Sequence, residues 1–251
     1  MPTVNFIEIA PSQNLAKYVE ALWHCRITEK GTLRLLPTAS CDLMVHNSSP
    51  GMKVALIGPM TTSQITQVNR GGFFAGVRFR PGCRIDVSDQ PFSSLKDTKT
   101  SSFLPKLASL TDFQRNIQSI RTHGDIHAEL ELLIEALITQ HVIMRDPMVD
   151  RFLEAMEQSD DISAAPDLIK NLPLSSRQFQ RRFKQYTCLN PKEFMSLWRR
   201  QRAVQDLKRP ELTVSQIAAQ RGYFDHAHFS HDFQDSVGIS PTHLEDELTL
   251  K

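Results

Sequence analysis

The feature that most constrains this chain is a repeat in its last third. Two phenylalanines four residues apart occur in each copy: Phe179 and Phe183, then Phe229 and Phe233. Residues four apart lie on the same face of an α-helix. Each copy therefore predicts a helix with an apolar inner face and a polar outer face.

Each copy also carries the residues that begin helices. Ser175 with Gln178 has the spacing of a capping box, in which a hydroxyl and an amide hold the two ends of a first turn, and Thr213 with Gln216 repeats it. Each copy is followed by an N-cap residue and a proline at the first helical position: Asn190-Pro191 and Ser240-Pro241. These patterns predict two helix-turn-helix units, each with a short helix, a tight turn and a second helix.

Charge is distributed unevenly along a chain whose formal net charge is only +1. Residues 170–209 contain 11 Lys or Arg against two acidic residues, whereas residues 210–251 contain two basic and seven acidic residues. A basic cluster of this density can neutralise several DNA phosphates. A solvated helical face would give the same pattern, so charge alone leaves both interpretations open.

The repeated segments resemble a known family. The runs IAAQRGY at 217–223, FSHDF at 229–233 and GISP at 238–241 resemble the signature of the AraC family of bacterial transcription factors. Residues 174–184 resemble its first recognition helix, and residues 191–207 resemble the long helix that joins its two units. The resemblance implies that the second helix of each unit enters one of two successive major grooves, about 34 Å apart.

The resemblance also implies which side chains meet DNA. In the first unit Arg177, Gln180 and Arg181 occupy base-facing positions, where arginine can bind guanine and glutamine can bind adenine through two hydrogen bonds. Lys184, Arg199 and Arg200 are interpreted as phosphate contacts or solvated surface. The base-facing candidates of the second unit are His226, Ala227, Ser230 and His231.

The second unit departs from the family pattern. His231 stands where the family usually has arginine, and Gln234 stands where it usually has lysine. Asp232 and Asp235 lie on the same predicted helix, and Asp225 is expected to cap it. Histidine is mostly neutral at pH 7, so this helix should attract phosphates weakly. We therefore expect the first unit to supply most of the affinity for DNA.

The first half of the chain has a different pattern. Between Leu33 and Arg80 short apolar runs alternate with glycine and proline, which predicts a β-rich, barrel-like domain. Helices are expected after it. An apolar stripe with helical spacing comprises Leu130, Leu133, Ile134, Leu137 and Ile138. Two interpretations of this helix stay open, a core helix of the domain or a dimerisation helix. The whole chain is predicted as α+β, with an effector-binding or dimerisation domain over 1–145 and the DNA-binding domain over 146–251.

Part of this half also resembles a known domain. The run GVRFRPG at 76–82 is similar to an uncharacterised domain often found ahead of AraC-type modules, although Thr38 and Ala39 replace its usual aspartate and glycine. The resemblance implies a sensory or dimerisation role. Trp23, Arg78 and Arg80 are candidates for an effector site. The alternative for Trp23 is a place in the core. The alternative for the two arginines is a solvated surface, which applies if Val77 and Phe79 face the core.

No catalytic, cofactor or metal motif is recognisable, and the four cysteines are interpreted as buried apolar thiols. No secretory signal or apolar stretch of about 20 residues is found, so we expect a cytoplasmic, nucleoid-associated protein. The expected partners are double-stranded DNA, with RNA polymerase and a small-molecule effector as candidates, and the protein is expected to be a monomer or homodimer. Alternatives are an N-terminal protein-interaction module without a ligand, or an enzyme fused to the DNA-binding domain.

Overall fold

The computed structural model describes residues 4–47, 51–101, 103, 108–117, 123–158, 165–170 and 172–244. The strands in these ranges are β1 (Val4–Ile9), β2 (Val19–Ile27), β3 (Gly31–Leu35), β4 (Asp42–Asn47), β5 (Met52–Ile57), β6 (Gln64–Val68), β7 (Phe73–Phe79), β8 (Arg84–Ile85), β9 (Lys99–Thr100) and β10 (Ile143–Met144). The helices are α1 (Ala108–Asn116), α2 (His123–Thr139), α3 (Pro147–Gln158), α4 (Ala165–Lys170), α5 (Ser176–Thr187), α6 (Pro191–Asp206), α7 (Val214–Gln220) and α8 (His226–Val237). A 3-10 turn covers Phe92–Ser94. The predicted α+β class is confirmed.

The N-terminal half is built on an antiparallel sheet with the strand order β1-β2-β7-β4-β5-β9. Strands β3 and β6 form a separate antiparallel pair, and β8 pairs with β10. In the described residues the large sheet stays open, because β1 pairs only with β2 at one edge and the two-residue β9 pairs only with β5 at the other. The expectation of a barrel-like domain therefore holds only loosely.

Helix α2 covers one face of the large sheet. The stripe residues Leu130, Leu133, Ile134 and Leu137 are buried in the same core as Val77 and Phe79 of β7, and Ile138 packs against that core. Side chains alternate between the faces of a strand, so Val77 and Phe79 point toward the helix. The interpretation of α2 as a core helix is confirmed.

The C-terminal half is helical and contains two separate cores. The first core contains Phe152, Phe179, Phe183 and Phe194, and the second contains Phe229 and Phe233. Helix α6 runs through both: Phe194 and Leu197 belong to the first core, and Ala203 and Val204 belong to the second. The predicted pair of units on a long helix is thus present, and each unit packs around its own phenylalanines.

All four cysteines are free and buried, as the sequence predicted. In the described part of the chain, no group of three or more His, Cys, Asp or Glu is arranged to hold a metal ion. Within the same residues, no helix has the length and apolarity needed to cross a membrane.

Candidate DNA-binding site

Helix α5 presents a basic surface because its opposite face is fixed in the core. Phe179 and Phe183 are fully buried, with ring centroids 5.5 Å apart. The helix begins at a complete capping box, in which the Ser175 hydroxyl accepts from the Gln178 amide and the Gln178 side chain accepts from Ser175. Packing and cap together fix the rotation of the helix about its axis. The side chains on its outer face are all exposed: Arg177, Gln180, Arg181 and Lys184.

Helix α8 is placed in the same way in the second unit. Phe229 and Phe233 are fully buried, and the Asp225 carboxylate accepts from the His228 amide at 2.7 Å, which confirms its predicted role as the cap. The predicted base-facing residues are exposed or half-buried: His226, Ala227 and His231 are exposed, and Ser230 is half-buried. Phe224, directly before the cap, is 92% exposed.

The two arginines of α6 are engaged in the second unit. The Arg199 guanidinium lies over the Tyr223 ring, 4.3 Å from its centroid. Arg200 donates to Asp232 at 3.0 Å, and the Tyr223 hydroxyl donates to the same carboxylate at 2.9 Å. Burial, together with the Asp232 charge, raises the pKa of Tyr223 well above its usual range, so this hydroxyl stays a donor. Arg200 thus holds α8 to α6, Arg199 holds the turn before α8 to α6, and their contact with phosphates stays a prediction.

Another acidic residue is used inside the second unit. Asp206, at the end of α6, is 1% exposed and accepts from Arg221. Asp225 and Asp232 also accept hydrogen bonds from residues of the second unit. These three carboxylates are therefore not free charges near the DNA-facing surface. Asp235 is exposed and lies 3.7 Å from His231. The unit is therefore less repulsive toward phosphate than its acidic composition suggests.

The structure brings two of the three effector candidates together. Trp23 is buried and its indole nitrogen donates to Asp42 at 2.9 Å. Arg78 lies 2.7 Å from Glu8 and 3.5 Å from Asp42. Burial raises the pKa of Asp42, although Arg78 and Trp23 oppose this shift. Arg78 is thus ion-paired rather than solvated on the sheet face opposite α2.

Arg80 lies elsewhere, in a cleft of about 210 Å³ between the two halves of the chain. The cleft is lined on the N-terminal side by Lys17, Arg80, Pro81 and Arg145, and on the C-terminal side by Asp150, Leu153, Glu154, Met156, Glu157, Phe194 and Trp198. The Arg80 Nε donates to the Ala16 carbonyl at 2.7 Å, which orients the guanidinium. No local pattern around Arg80 indicates the C-terminal lining residues, because they come from helices that begin more than 60 residues later in the chain.

Comparison with known families finds one match in each half of the chain. Residues 168–247 match the family model described as a helix-turn-helix domain, and residues 7–101 match one described as a domain of unknown function (DUF6597). The chain carries an AraC-type helix-turn-helix domain. It is an AraC-family, DNA-binding regulator of transcription whose N-terminal domain is uncharacterised, which confirms both resemblances found in the sequence.

Solved structures of regulators are similar to this AraC-family chain. ToxT from Vibrio cholerae covers 98% of this chain and is itself covered to 98%, with 11% identity and a TM-score of 0.49. An AraC-type regulator from Chromobacterium violaceum covers 41% of this chain and is covered to 92%, with 26% identity and a TM-score of 0.36. A DNA-binding transcriptional dual regulator from Escherichia coli K-12 covers 43% and is covered to 97%, with 16% identity and a TM-score of 0.37. No curated protein matches the chain.

Proposed function

We propose that this regulator reads two successive major grooves with α5 and α8, and that an effector bound at the N-terminal domain controls it. The observation that carries the first part is the outer face of α5. Arg177, Gln180 and Arg181 are all exposed on a helix whose other face is locked by two buried phenylalanines. A rigid helix with exposed Arg and Gln fits direct readout of base edges in a major groove.

The two helices would contribute unequally. The four candidate residues of α5 include three cations, whereas α8 carries histidines and no Lys or Arg. Phosphate contacts made by cations supply much of the affinity for DNA. The first unit would therefore supply most of the affinity, and the second would discriminate between sequences. Such a protein would work in the cytoplasm at the nucleoid.

Single substitutions on matching helix faces test this division. Arg181→Ala should weaken binding to a selected operator by roughly 10- to 100-fold, the loss expected for one bidentate base contact, and His231→Ala should weaken it less. Arg115→Ala is the matched control, because Arg115 is an exposed arginine on α1, in the other half of the chain. Binding would be titrated by fluorescence anisotropy at fixed salt. A larger loss from His231→Ala than from Arg181→Ala contradicts the unequal division.

The cleft between the two halves supports the second part of the proposal. Lys17 and Arg80 offer positive charge at one side, while the other side offers the carboxylates of Glu154 and Glu157 and the apolar surface of Leu153, Met156 and Trp198. A small molecule that carries both an anionic and a cationic group beside an apolar portion fits that lining. Because the lining comes from both halves, a ligand there would contact the N-terminal domain and the DNA-binding domain at once.

Trp198 provides a direct readout for such an effector. In a Trp23→Phe background it is the remaining tryptophan of the chain, which has two. A metabolite that binds in the cleft should change Trp198 fluorescence and shift the DNA titration, and Arg80→Ala should abolish both effects. If metabolites change DNA binding in the Arg80→Ala variant as they do in the parent, the effector site lies outside the cleft.

One observation favours the alternative of an interaction module. β1 is an edge strand of the large sheet, and its side chains Phe6, Ile7 and Ile9 are 49%, 40% and 43% exposed. An exposed apolar edge strand is a ready surface for pairing with another chain. If sedimentation shows a dimer that Ile7→Lys dissociates, while no metabolite changes Trp198 fluorescence, the interaction module replaces effector control.

A further inference from the structure

The N-terminal domain contacts the carboxyl ends of both recognition helices at equivalent positions of the repeat. Cys188 and Gly238 are the C-cap residues directly after α5 and α8, and both have the left-handed conformation, with φ of 62° and 81°. The Cys188 thiol donates to the Phe92 carbonyl at 2.9 Å in the buried interior. At the end of α8, Arg34 donates to the Val237 carbonyl at 2.9 Å. Each recognition helix is thus attached to the N-terminal domain at its last turn.

The attachment of α8 is made by the β3–β6 pair. Arg34 lies on β3, and Ser63, just before β6, donates its amide to the Ser236 carbonyl at 2.8 Å. These bonds satisfy carbonyls that the end of a helix leaves without an internal partner. A cation at a helix carboxyl end is also favoured by the helix dipole. A Cβ built at Gly238 would lie 2.9 Å from the Arg34 Nη1 atom, so the two parts are in close contact.

The segment between β3 and β4 spans the two helix-turn-helix units. Leu36 packs against the core of the second unit, and Ala39 is buried in the core of the first. The same segment also bonds to the connecting helix: Gln201 of α6 accepts from the Ala39 amide at 3.2 Å and donates to the Thr38 hydroxyl at 3.3 Å. Thr38 and Ala39 are the residues that depart from the family motif, and here they meet the connecting helix.

These contacts matter because the two units have separate cores. In the described residues each core cluster belongs to one unit, and α6 is the helix that runs through both. We propose that the N-terminal domain acts as a bracket that fixes the separation and rotation of α5 relative to α8. Arg34 and Gln201 would be positioning residues that determine which half-site spacing the protein accepts. This inference rests on the proposed reading of two major grooves.

The first test measures the bracket without DNA. Spin labels would be attached to Gln185→Cys on α5 and Gln234→Cys on α8, both exposed, in the full chain, whose native thiols are buried. Double electron–electron resonance should give one narrow distribution of distances between the two labels in the parent. In the Arg34→Ala, Gln201→Ala double variant the distribution should be broader or shifted. The control pair Arg70→Ala with Gln205→Ala changes the same residue types at exposed positions. An unchanged distance in the Arg34 and Gln201 variant would overturn the bracket.

The second test measures spacing selectivity on DNA. Duplexes carrying the selected operator would have one, two or three base pairs inserted between the half-sites, each insertion moving them about 3.4 Å apart and rotating them. The parent protein should lose at least about tenfold in affinity per inserted pair, whereas the Arg34→Ala, Gln201→Ala variant should lose only about threefold.

The outcomes separate this inference from the proposed function. An identical spacing profile for parent and variant contradicts the bracket while leaving two-groove binding intact. A uniform rise in the variant's affinity at every spacing also contradicts it, since the N-terminal domain would then obstruct DNA. Absence of any bipartite site for the parent refutes the proposed function, whereas the spin-label distances would still report whether the bracket exists. Arg34→Lys keeps the charge at the end of α8. When it replaces Arg34→Ala in the double variant, the spin-label distance should return most of the way to the parental value.

Discussion

Replacing Phe183 by alanine should destabilise the first helix-turn-helix unit by about 4 kcal/mol. The side chain is fully buried, and its ring lies 5.4 Å from that of Phe152, 5.5 Å from Phe179 and 5.4 Å from Phe194. Removing a buried phenylalanine costs about 3–5 kcal/mol, a range that already includes the lost contacts and the partial collapse of the cavity. Because Phe183 has three aromatic neighbours, the expected loss lies in the middle of that range.

Urea unfolding followed by Trp198 fluorescence measures this loss. Trp198 stacks on Phe194 with centroids 5.8 Å apart, so it reports on the same core, and Trp23→Phe removes the signal of the N-terminal domain. With a denaturant slope of about 2 kcal/mol per molar, the midpoint of the Phe183→Ala variant should fall by about 2 M. Arg181→Ala, on the exposed face of the same helix, should shift it by less than about 0.3 M. A shift below about 0.5 M for Phe183→Ala, or an equal shift for both variants, refutes the reasoning.

Three further predictions concern charge and burial. Asp206→Asn removes the charge of a carboxylate that is 1% exposed and accepts from Arg221, and should cost about 1.5–3 kcal/mol in unfolding free energy; a loss below about 0.5 kcal/mol would contradict the contribution of this bond. Partial burial acts to raise the pKa of Glu193, but the hydrogen bonds from Lys96 and the Asn190 amide, together with the charges of Lys96 and Lys184, outweigh it and lower the pKa. The stabilisation is therefore present above the ordinary carboxyl pKa and lost as the pH falls below about 4, so Glu193→Gln should cost less than about 1 kcal/mol at pH 7 and less at pH 3 than at pH 7. Burial raises the pKa of Cys83 to about 11, and the other three thiols are buried as well. A disulfide reagent at pH 8 should therefore modify the four thiols within minutes only after unfolding. Rapid modification of the folded protein would contradict this burial.

The features that the sequence predicted are those set by neighbours along the chain. The capping residues Ser175, Thr213 and Asp225 act on amides three residues away, so their spacing is visible in the sequence. The buried phenylalanines follow helical periodicity and were equally visible. The helical spacing of the α2 stripe was visible for the same reason, but the spacing left open whether the helix belongs to the core or to a dimer interface.

The features that the sequence did not predict depend on contacts between distant segments. Arg200 and Asp232 are 32 residues apart and Thr38 and Gln201 are 163 apart, so no local pattern indicates either pair. The sequence placed Asp232 on the second recognition helix but indicated no partner for it, whereas it accepts from Arg200 and Tyr223. Likewise, alternating apolar runs predict strands but not whether the first and last strands of a sheet meet, which is why an open sheet was described as barrel-like.

The most direct test of the account is selection of DNA fragments by the purified full chain, followed by anisotropy titration at several salt concentrations. The account predicts one enriched bipartite sequence whose two halves are centred about 10 base pairs apart, with binding that weakens steeply as salt rises. Lys184→Ala should reduce the salt slope by about 0.9. Recovery of unrelated fragments, or of a single undivided site that tolerates any sequence one helical turn away, would contradict reading by two recognition helices.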